Sequence, residues 1–341
     1  MDYFSNIKAV EIDGKSIGPN EPTYFIAEAG LNHNTDIKLA KNLIEEAKNC
    51  GADAVKFQTY KSEQFLTPSS NFFKGFKDAE LAHEKFSELK DHAKNVGITF
   101  FSAPFDRQSS DYLNEIDVPC FKIASGDMTD IPLIKHVAKM HKPMIISTGL
   151  ANMDEVENAV NACLYEGNRK IILLHCIAHY PTEPHETNLL AMDTLRKKFQ
   201  CPIGYSDNGE PLLVDIVAAS MGANIIEKHF TLDKKLPGPD HFFSIDPAGL
   251  KKLISEIRIV ESMKGDGIKS PQISEVELRT QTRKSITASM DIQEGEILTE
   301  EKLLTKRPAV GIEPKYFNQI LGKKVNRTIK QNDAILWEYI D

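Results

Sequence analysis

Residues 120–167 read CFKIASGDMTDIPLIKHVAKMHKPMIISTGLANMDEVENAVNACLYEG. Two continuous apolar runs, Cys120–Ile123 and Pro143–Ser147, alternate with two amphipathic stretches, Ile131–Met140 and Met153–Tyr165. Apolar runs without in–out alternation are the pattern of parallel strands covered by helices. The same unit recurs on both sides. Upstream, strands are predicted at Tyr24–Ala27, Ala54–Phe57 and Ile98–Phe101, with helices at Ile37–Cys50 (ending at Gly51), Leu81–Asn95 and Arg107–Ile116. Downstream, strands at Lys170–His175, Pro202–Tyr205 and Asn224–Lys228 alternate with helices at Leu189–Phe199, Pro211–Met221 and Pro247–Met263. A doubly wound open sheet also alternates in this way. A count of eight units over about 250 residues favours an α/β (β/α)8 TIM barrel.

Around the barrel the character changes twice. Ala9–Ile17, with Asp13–Gly14 at its centre, reads as a hairpin. After Gly265 the chain becomes polar and irregular. Beyond it lie short β-prone runs, Ser285–Ala288 and Ala334–Trp337, with turns at Glu294–Gly295 and Asn332–Asp333. The expected organisation is a catalytic barrel with its hairpin over 1–265, a linker over 266–282, and a small β-rich domain over 283–341.

The chain has 341 residues, 41% hydrophobic and 26% charged, with 41 Lys and Arg against 49 Asp and Glu. This is the composition of a globular protein and excludes collagen-like repetition and wholesale disorder. A net charge of −8 argues against a nucleic-acid partner. Five scattered cysteines with no CxxC pair suit a reducing compartment, so the cytoplasm is the expected location. Met1–Asn20 lacks the apolar core of a secretory leader, and no apolar stretch approaches the about 20 residues that span a bilayer. No GxGxxG or GxxxxGK[ST] loop is present, which weighs against nucleotide-dependent chemistry.

Chemistry in a TIM barrel sits at the C-terminal strand ends. Those ends carry Glu28, Lys56, Gln58, Ser102, Lys122, Ser125, Ser147, Tyr180, Ser206, Asp207 and His229. Lys56 and Lys122 each close an apolar strand, and an ammonium buried there requires an anion. Two readings are open. With Ser125 and Ser147 the lysines form a site for phosphate or carboxylate, or they are ion-paired to Glu28 and Glu227 inside the barrel. His229 closes the eighth strand, where a lone histidine is a satisfied core residue or a functional one. Asp240, in Leu-Pro-Gly-Pro-Asp-His, can hold a carboxylate over the barrel mouth or sit in a surface turn. Arg307 is a candidate anion or sugar contact, or an exposed loop arginine.

The strand ends also carry longer motifs. They are Ala-Glu-Ala-Gly-Leu-Asn-His-Asn at 27–34, Val-Lys-Phe-Gln-Thr at 55–59, Ser-Ala-Pro-Phe at 102–105 and Phe-Lys-Ile-Ala-Ser-Gly-Asp at 121–127. Ile-Ser-Thr-Gly at 146–149, Gly-Tyr-Ser-Asp at 204–207 and Ile-Glu-Lys-His-Phe-Thr at 226–231 complete the set. In this order they resemble the sialic acid synthase family, and the tail is similar to the antifreeze-like SAF domain those enzymes carry. The resemblance implies condensation of phosphoenolpyruvate with N-acetylmannosamine or a related 2-acetamido sugar, giving a nonulosonic acid and phosphate. Legionaminic or pseudaminic acid synthesis is the alternative within the enzymes. A catalytically degenerate sugar-binding member serving polysaccharide assembly is the alternative outside them.

The same resemblance implies residue roles. Lys56, Lys122, Ser125, Ser147 and Ser206 would hold the phosphate and carboxylate of phosphoenolpyruvate. Glu28, Gln58, Asp127, Tyr180 and Asp240 would line the sugar, with Glu28 also placed to move a proton. His229 matches one of two usual histidine ligands of a divalent metal, typically Mn2+. Arg307 matches a tail arginine that enters the neighbouring subunit's site, so a domain-swapped homodimer is implied. Three positions depart from the family pattern. Asn208 replaces the second metal histidine, Ala178 stands where Asn or Ser is usual, and Asp127 stands where Glu is common. An amide oxygen is a weaker ligand than imidazole for a first-row metal, and His179 and His241 are the nearest other imidazoles by motif.

Overall fold

A computed structural model describes residues 7–341; the first six residues of the stretch read for a leader lie outside them. Contacts divide the chain into two compact units that meet at Gly265 and Asp266. In the first unit, β1 (Val10–Ile12) and β2 (Lys15–Ile17) form an antiparallel hairpin. Asp13 and Gly14 both take positive φ, 50° and 76°, as a two-residue hairpin turn requires. Hydrogen bonds from Thr99 to Asp13 and from Lys15 to Asp53 tie it to the N-terminal ends of two barrel strands.

The barrel strands are β3 (Tyr24–Gly30), β4 (Ala54–Thr59), β5 (Thr99–Pro104), β6 (Phe121–Ile123), β7 (Met144–Ser147), β8 (Ile171–Cys176), β9 (Ile203–Asp207) and β10 (Ile225–His229). They close in sequence order, with β10 pairing β3, into an eight-stranded parallel TIM barrel. Helices follow where the apolar periodicity predicts them. Ile37–Cys50 begins at the Asp36 cap and stops at Gly51 in the left-handed conformation. Asn152 and Glu155 form a capping box at the head of Met153–Tyr165. The helix predicted from Leu81 begins at His83, after an Ala82 that offers no side-chain cap.

Between β4 and that helix the chain makes an excursion through two short helices, Ser62–Phe65 and Phe73–Asp78. Its Tyr60, Phe65 and Phe76 pack as an aromatic cluster with Phe105, which follows β5. The Glu80 carboxylate accepts from the Ser62 N–H and hydroxyl at 3.0 and 2.9 Å and pairs with Lys61 and Lys77.

Within the second unit, β11 (Ser285–Ala288) pairs antiparallel with β12 (Leu303–Lys306) over a core that includes Ile286, Ile292, Leu298, Ile312, Ile320, Val325, Ile329 and Ile335. Two readings of this region are corrected. The stretch 266–282 contains a helix, Val276–Thr282, whose sequence carries no apolar stripe to announce it. The strand expected at Ala334–Trp337 is a single bridge at Ala334 followed by a 3-10 turn over Trp337–Tyr339. Among the described residues, no helix is long and apolar enough to cross a membrane.

Candidate active site

Side chains alternate across a strand, so every second residue at a strand end faces the barrel interior. Parity and contacts together place Glu28, Lys56, Gln58, Lys122, Ser147, Cys176, Ser206 and Glu227 inside. Ser102 and Asp207, also read from strand ends, face outward instead. Ser102 pairs with the Thr59 hydroxyl at 2.7 Å, and Asp207 pairs with Lys228 behind the wall.

Four buried charges form the floor. Lys56 lies 2.9 Å from Glu28 and 3.6 Å from Glu227, and Lys122 lies 3.6 Å from Glu227. The ion-paired alternative for the two lysines is therefore present, but it leaves Lys122 underused. Its ammonium donates to the Ile123 carbonyl at 3.1 Å and has no carboxylate closer than Glu227. Burial holds Lys122 below the usual ammonium range, despite the pull of Glu227. Burial acts the same way on Lys56, but Glu227 and Glu28 outweigh it and hold the ammonium above that range. Burial pushes the Glu28 carboxyl up, against Lys56. For Glu227 burial is outweighed by Lys122 and Lys56, which hold it down.

Hydroxyls surround the underused ammonium. Ser147, inward on the strand beside Lys122, has a buried Oγ with no hydrogen-bond partner. Ser206 donates to Glu227 at 3.0 Å, and Ser125 Oγ accepts from the Gly149 N–H at 3.1 Å. Gly149 is fixed by that approach, since a Cβ there would lie 2.7 Å from Ser125 Oγ and 3.3 Å from the Ala178 methyl. Asp127, two residues beyond Ser125, keeps a buried, unpartnered Oδ2. Burial and then the neighbouring Asp130 push its carboxyl up to about 7, against Lys122.

A second group of polar atoms gathers around Gly30, beside the irregularity in the β3–β4 pairing. A Cβ on Gly30 would lie 3.2 Å from Glu28 Oε1 and 3.4 Å from both Asp240 Oδ2 and Gln58 Nε2. Gln58 donates to Glu28 at 3.0 Å. Asp240 Oδ2 is 3.7 Å from His229 Nδ1. The His229 ring packs edge-on against Phe243 and Tyr180, with centroids at 4.9 and 5.8 Å. Its Nδ1 is buried without a hydrogen-bond partner, and burial holds the imidazole below its usual range, against the pull of Asp240.

Lys228 and Asp207 are opposite each other in the β9–β10 register, so Asn208, just past β9, and His229, the last residue of β10, come next. Asn208 is buried, and its Nδ2 donates to the Ile177 carbonyl at 2.8 Å. That acceptor fixes the amide's orientation and leaves Oδ1 available. An imidazole with an unpartnered nitrogen, an amide oxygen and the Asp240 carboxylate fit a divalent cation. Among the described residues, no three His, Cys, Asp or Glu side chains form a metal cluster by themselves. His179 and His241, the other imidazoles considered, are engaged elsewhere. His179 pairs with Glu186 at 2.9 Å, and His241 lies between Thr231 at 2.7 Å and Asn34 at 3.2 Å. Arg307 lies on the second unit, exposed, in the loop after β12.

The sequence reading missed the outward cluster of Asp207, Lys228 and Asp215. Its signal is Asp215, a single charge in the apolar run Leu212–Ser220 and fully buried in the structure.

Comparison with known proteins bears on this arrangement. The NeuB family profile matches residues 43–269, and the SAF domain profile matches 283–340. An uncharacterized protein of Methanocaldococcus jannaschii is 46% identical over 97% of this chain and 98% of its own. The N,N'-diacetyllegionaminic acid synthase of Legionella pneumophila is 40% identical over 96% of this chain and 97% of its own. A crystal structure of the N-acetylneuraminic acid synthetase of Leptospira borgpetersenii with citrate superposes with a TM-score of 0.76. It is 38% identical and covers 80% of this chain and 95% of that one.

Proposed function

The chain belongs to the NeuB family of enzymes and carries a SAF domain, and from that membership we propose that it condenses phosphoenolpyruvate with a 2-acetamido sugar to make a nonulosonic acid. The observation that carries the proposal is Lys122, a buried ammonium whose nearest carboxylate is 3.6 Å away, with an unpartnered serine hydroxyl on the neighbouring strand. A buried ammonium so placed favours an anionic partner. In the reaction C3 of the enol attacks the aldehyde carbon of the open-chain sugar. Water adds at C2, the C2–O bond breaks, and phosphate leaves with the bonding pair.

Lys122 and Lys56, with Ser125, Ser147 and Ser206, hold the phosphate and carboxylate and oppose the charge that develops on them. Glu28, whose carboxyl burial makes basic, takes or returns a proton at the sugar, with Gln58 fixing its other oxygen. Asp240, Asp127 and Tyr180 face the sugar hydroxyls. His229 and Asn208 hold a divalent cation, proposed as Mn2+. The chemistry such an ion supplies is Lewis-acid polarisation of a carbonyl oxygen.

Among sugars, identity to the legionaminic relative favours a 2,4-diacetamido hexose over N-acetylmannosamine. The apolar ring cluster of Tyr180, His229 and Phe243 suits an acetamido methyl. The proposal includes a domain-swapped homodimer, in which Arg307 of one subunit serves the barrel of the other. It also places the reaction in the cytoplasm, in keeping with five free cysteines.

The test is phosphate release from phosphoenolpyruvate with Mn2+ and a panel of both sugar types. Release is expected with each, fastest with the diacetamido sugar. No release with any nonulosonate precursor overturns the assignment in favour of a sugar-binding protein without turnover.

A further inference from the structure

The turn that carries Asn208 is gripped from behind the barrel wall. Asp207 and Lys228 point away from the interior, toward the helix Leu212–Ser220, and are 1% and 3% exposed. There the Lys228 ammonium meets the Asp207 carboxylate, lies 3.1 Å from Asp215, and donates to the Gly209 carbonyl at 2.7 Å. Asp207 Oδ1 accepts from the Gly209 N–H at 2.9 Å and from the Tyr205 hydroxyl at 3.3 Å.

Asn208 is thus bracketed: the residue before it and the residue after it bind one ammonium. On its other side, its Nδ2 binds the Ile177 carbonyl, and its own carbonyl accepts from the Thr182 N–H at 3.1 Å. Gly209 sits so close to that loop that a Cβ would fall 2.6 Å from the Thr182 carbonyl oxygen. The ammonium in question belongs to the residue directly before His229.

We infer that Lys228 and Asp207 are positioning residues that set Asn208 against His229, so that two donors at the ends of adjacent strands keep one separation. The inference rests on the reading of Asn208 and His229 as a metal-holding pair. Neither residue of the clamp touches substrate or metal. Asp215 contacts the same ammonium from the helix and flanks neither donor, so it is not placed to set their separation.

That difference supplies the control. Manganese affinity is measured from the electron paramagnetic resonance of free Mn2+ over the full-length protein without substrates, with thermal melting beside it. Asp207→Asn is expected to weaken binding roughly 10- to 100-fold, the range for partners that orient metal ligands. Asp215→Asn is expected to lower the melting temperature while affinity stays within about threefold. Unchanged affinity in Asp207→Asn, or equal losses in both variants, overturns the inference. A parent whose manganese binding survives His229→Ala overturns the metal reading itself, and the inference with it. Should Asp207→Asn not fold, Lys228→Arg keeps the charge but changes its reach, and unchanged affinity there is equally fatal.

Discussion

Lys122 is buried to 2% exposure, yet its nearest carboxylate is 3.6 Å away. Desolvating an ammonium is costly, and at that distance the return is incomplete. Lys122→Met keeps most of the stem and removes the charge. It is expected to weaken phosphoenolpyruvate binding by roughly two orders of magnitude, about 2–3 kcal/mol for lost charged hydrogen bonds. Melting temperature should hold or rise; calorimetric titration and thermal melts check the pair. Asp127 gives a pH signature. Its folded carboxyl, at about 7, lies above the ordinary 3.8, so it favours the folded chain when protonated. That contribution is lost as pH rises through the folded value. Asp127→Asn is therefore expected to stabilise more at pH 8 than at pH 5, in melts run across that range. Lys122 is legible in the sequence because it closes an apolar run, whereas Asp127 is singled out only by the family resemblance. Asp207 and Lys228 were misread or passed over because charge alone does not tell which face of a strand a residue occupies.

Elements were read well where the chain carries its own stop signals. Ile37–Cys50 matched at both ends because Asp36 and Gly51 cap it. The helix beginning at His83 has an alanine cap, and its predicted start was two residues early. Val276–Thr282 was passed over because its polar sequence offers no stripe to detect. No element is predicted for the excursion between β4 and His83, since its aromatic residues lie far apart in sequence and meet only when it folds back. Glu80 fastens that fold-back. Several hydrogen bonds from Ser62, Lys77 and Lys61 outweigh burial and hold its carboxyl down to about 2, so the tie persists at neutral pH and fails only in acid. Glu80→Ala is expected to open residues 61–80 to protease while the barrel resists. Limited proteolysis at neutral pH checks this, and an unchanged digestion pattern would mean the aromatic cluster suffices.

For the whole molecule, the proposed exchange of tails between subunits has a direct consequence. Lys122→Met and Arg307→Ala are each expected to be inactive alone. In a mixed dimer one barrel with Lys122 receives the tail with Arg307, so random mixing restores about a quarter of the sites. Co-expression and a phosphate assay check this; no recovery would mean that Arg307 serves its own chain. The barrel's closure carries one more consequence. β10 pairs β3 with His229 opposite Glu28, and Glu28 is opposite Lys56. The carboxylate that Lys56 and Lys122 share, Glu227, also comes from that last strand. A chain emerging from the ribosome therefore exposes both lysines long before their common counter-charge has been synthesised. Contacts this distant in sequence delay folding. The first seven barrel strands must wait, unsealed, until translation has passed residue 229.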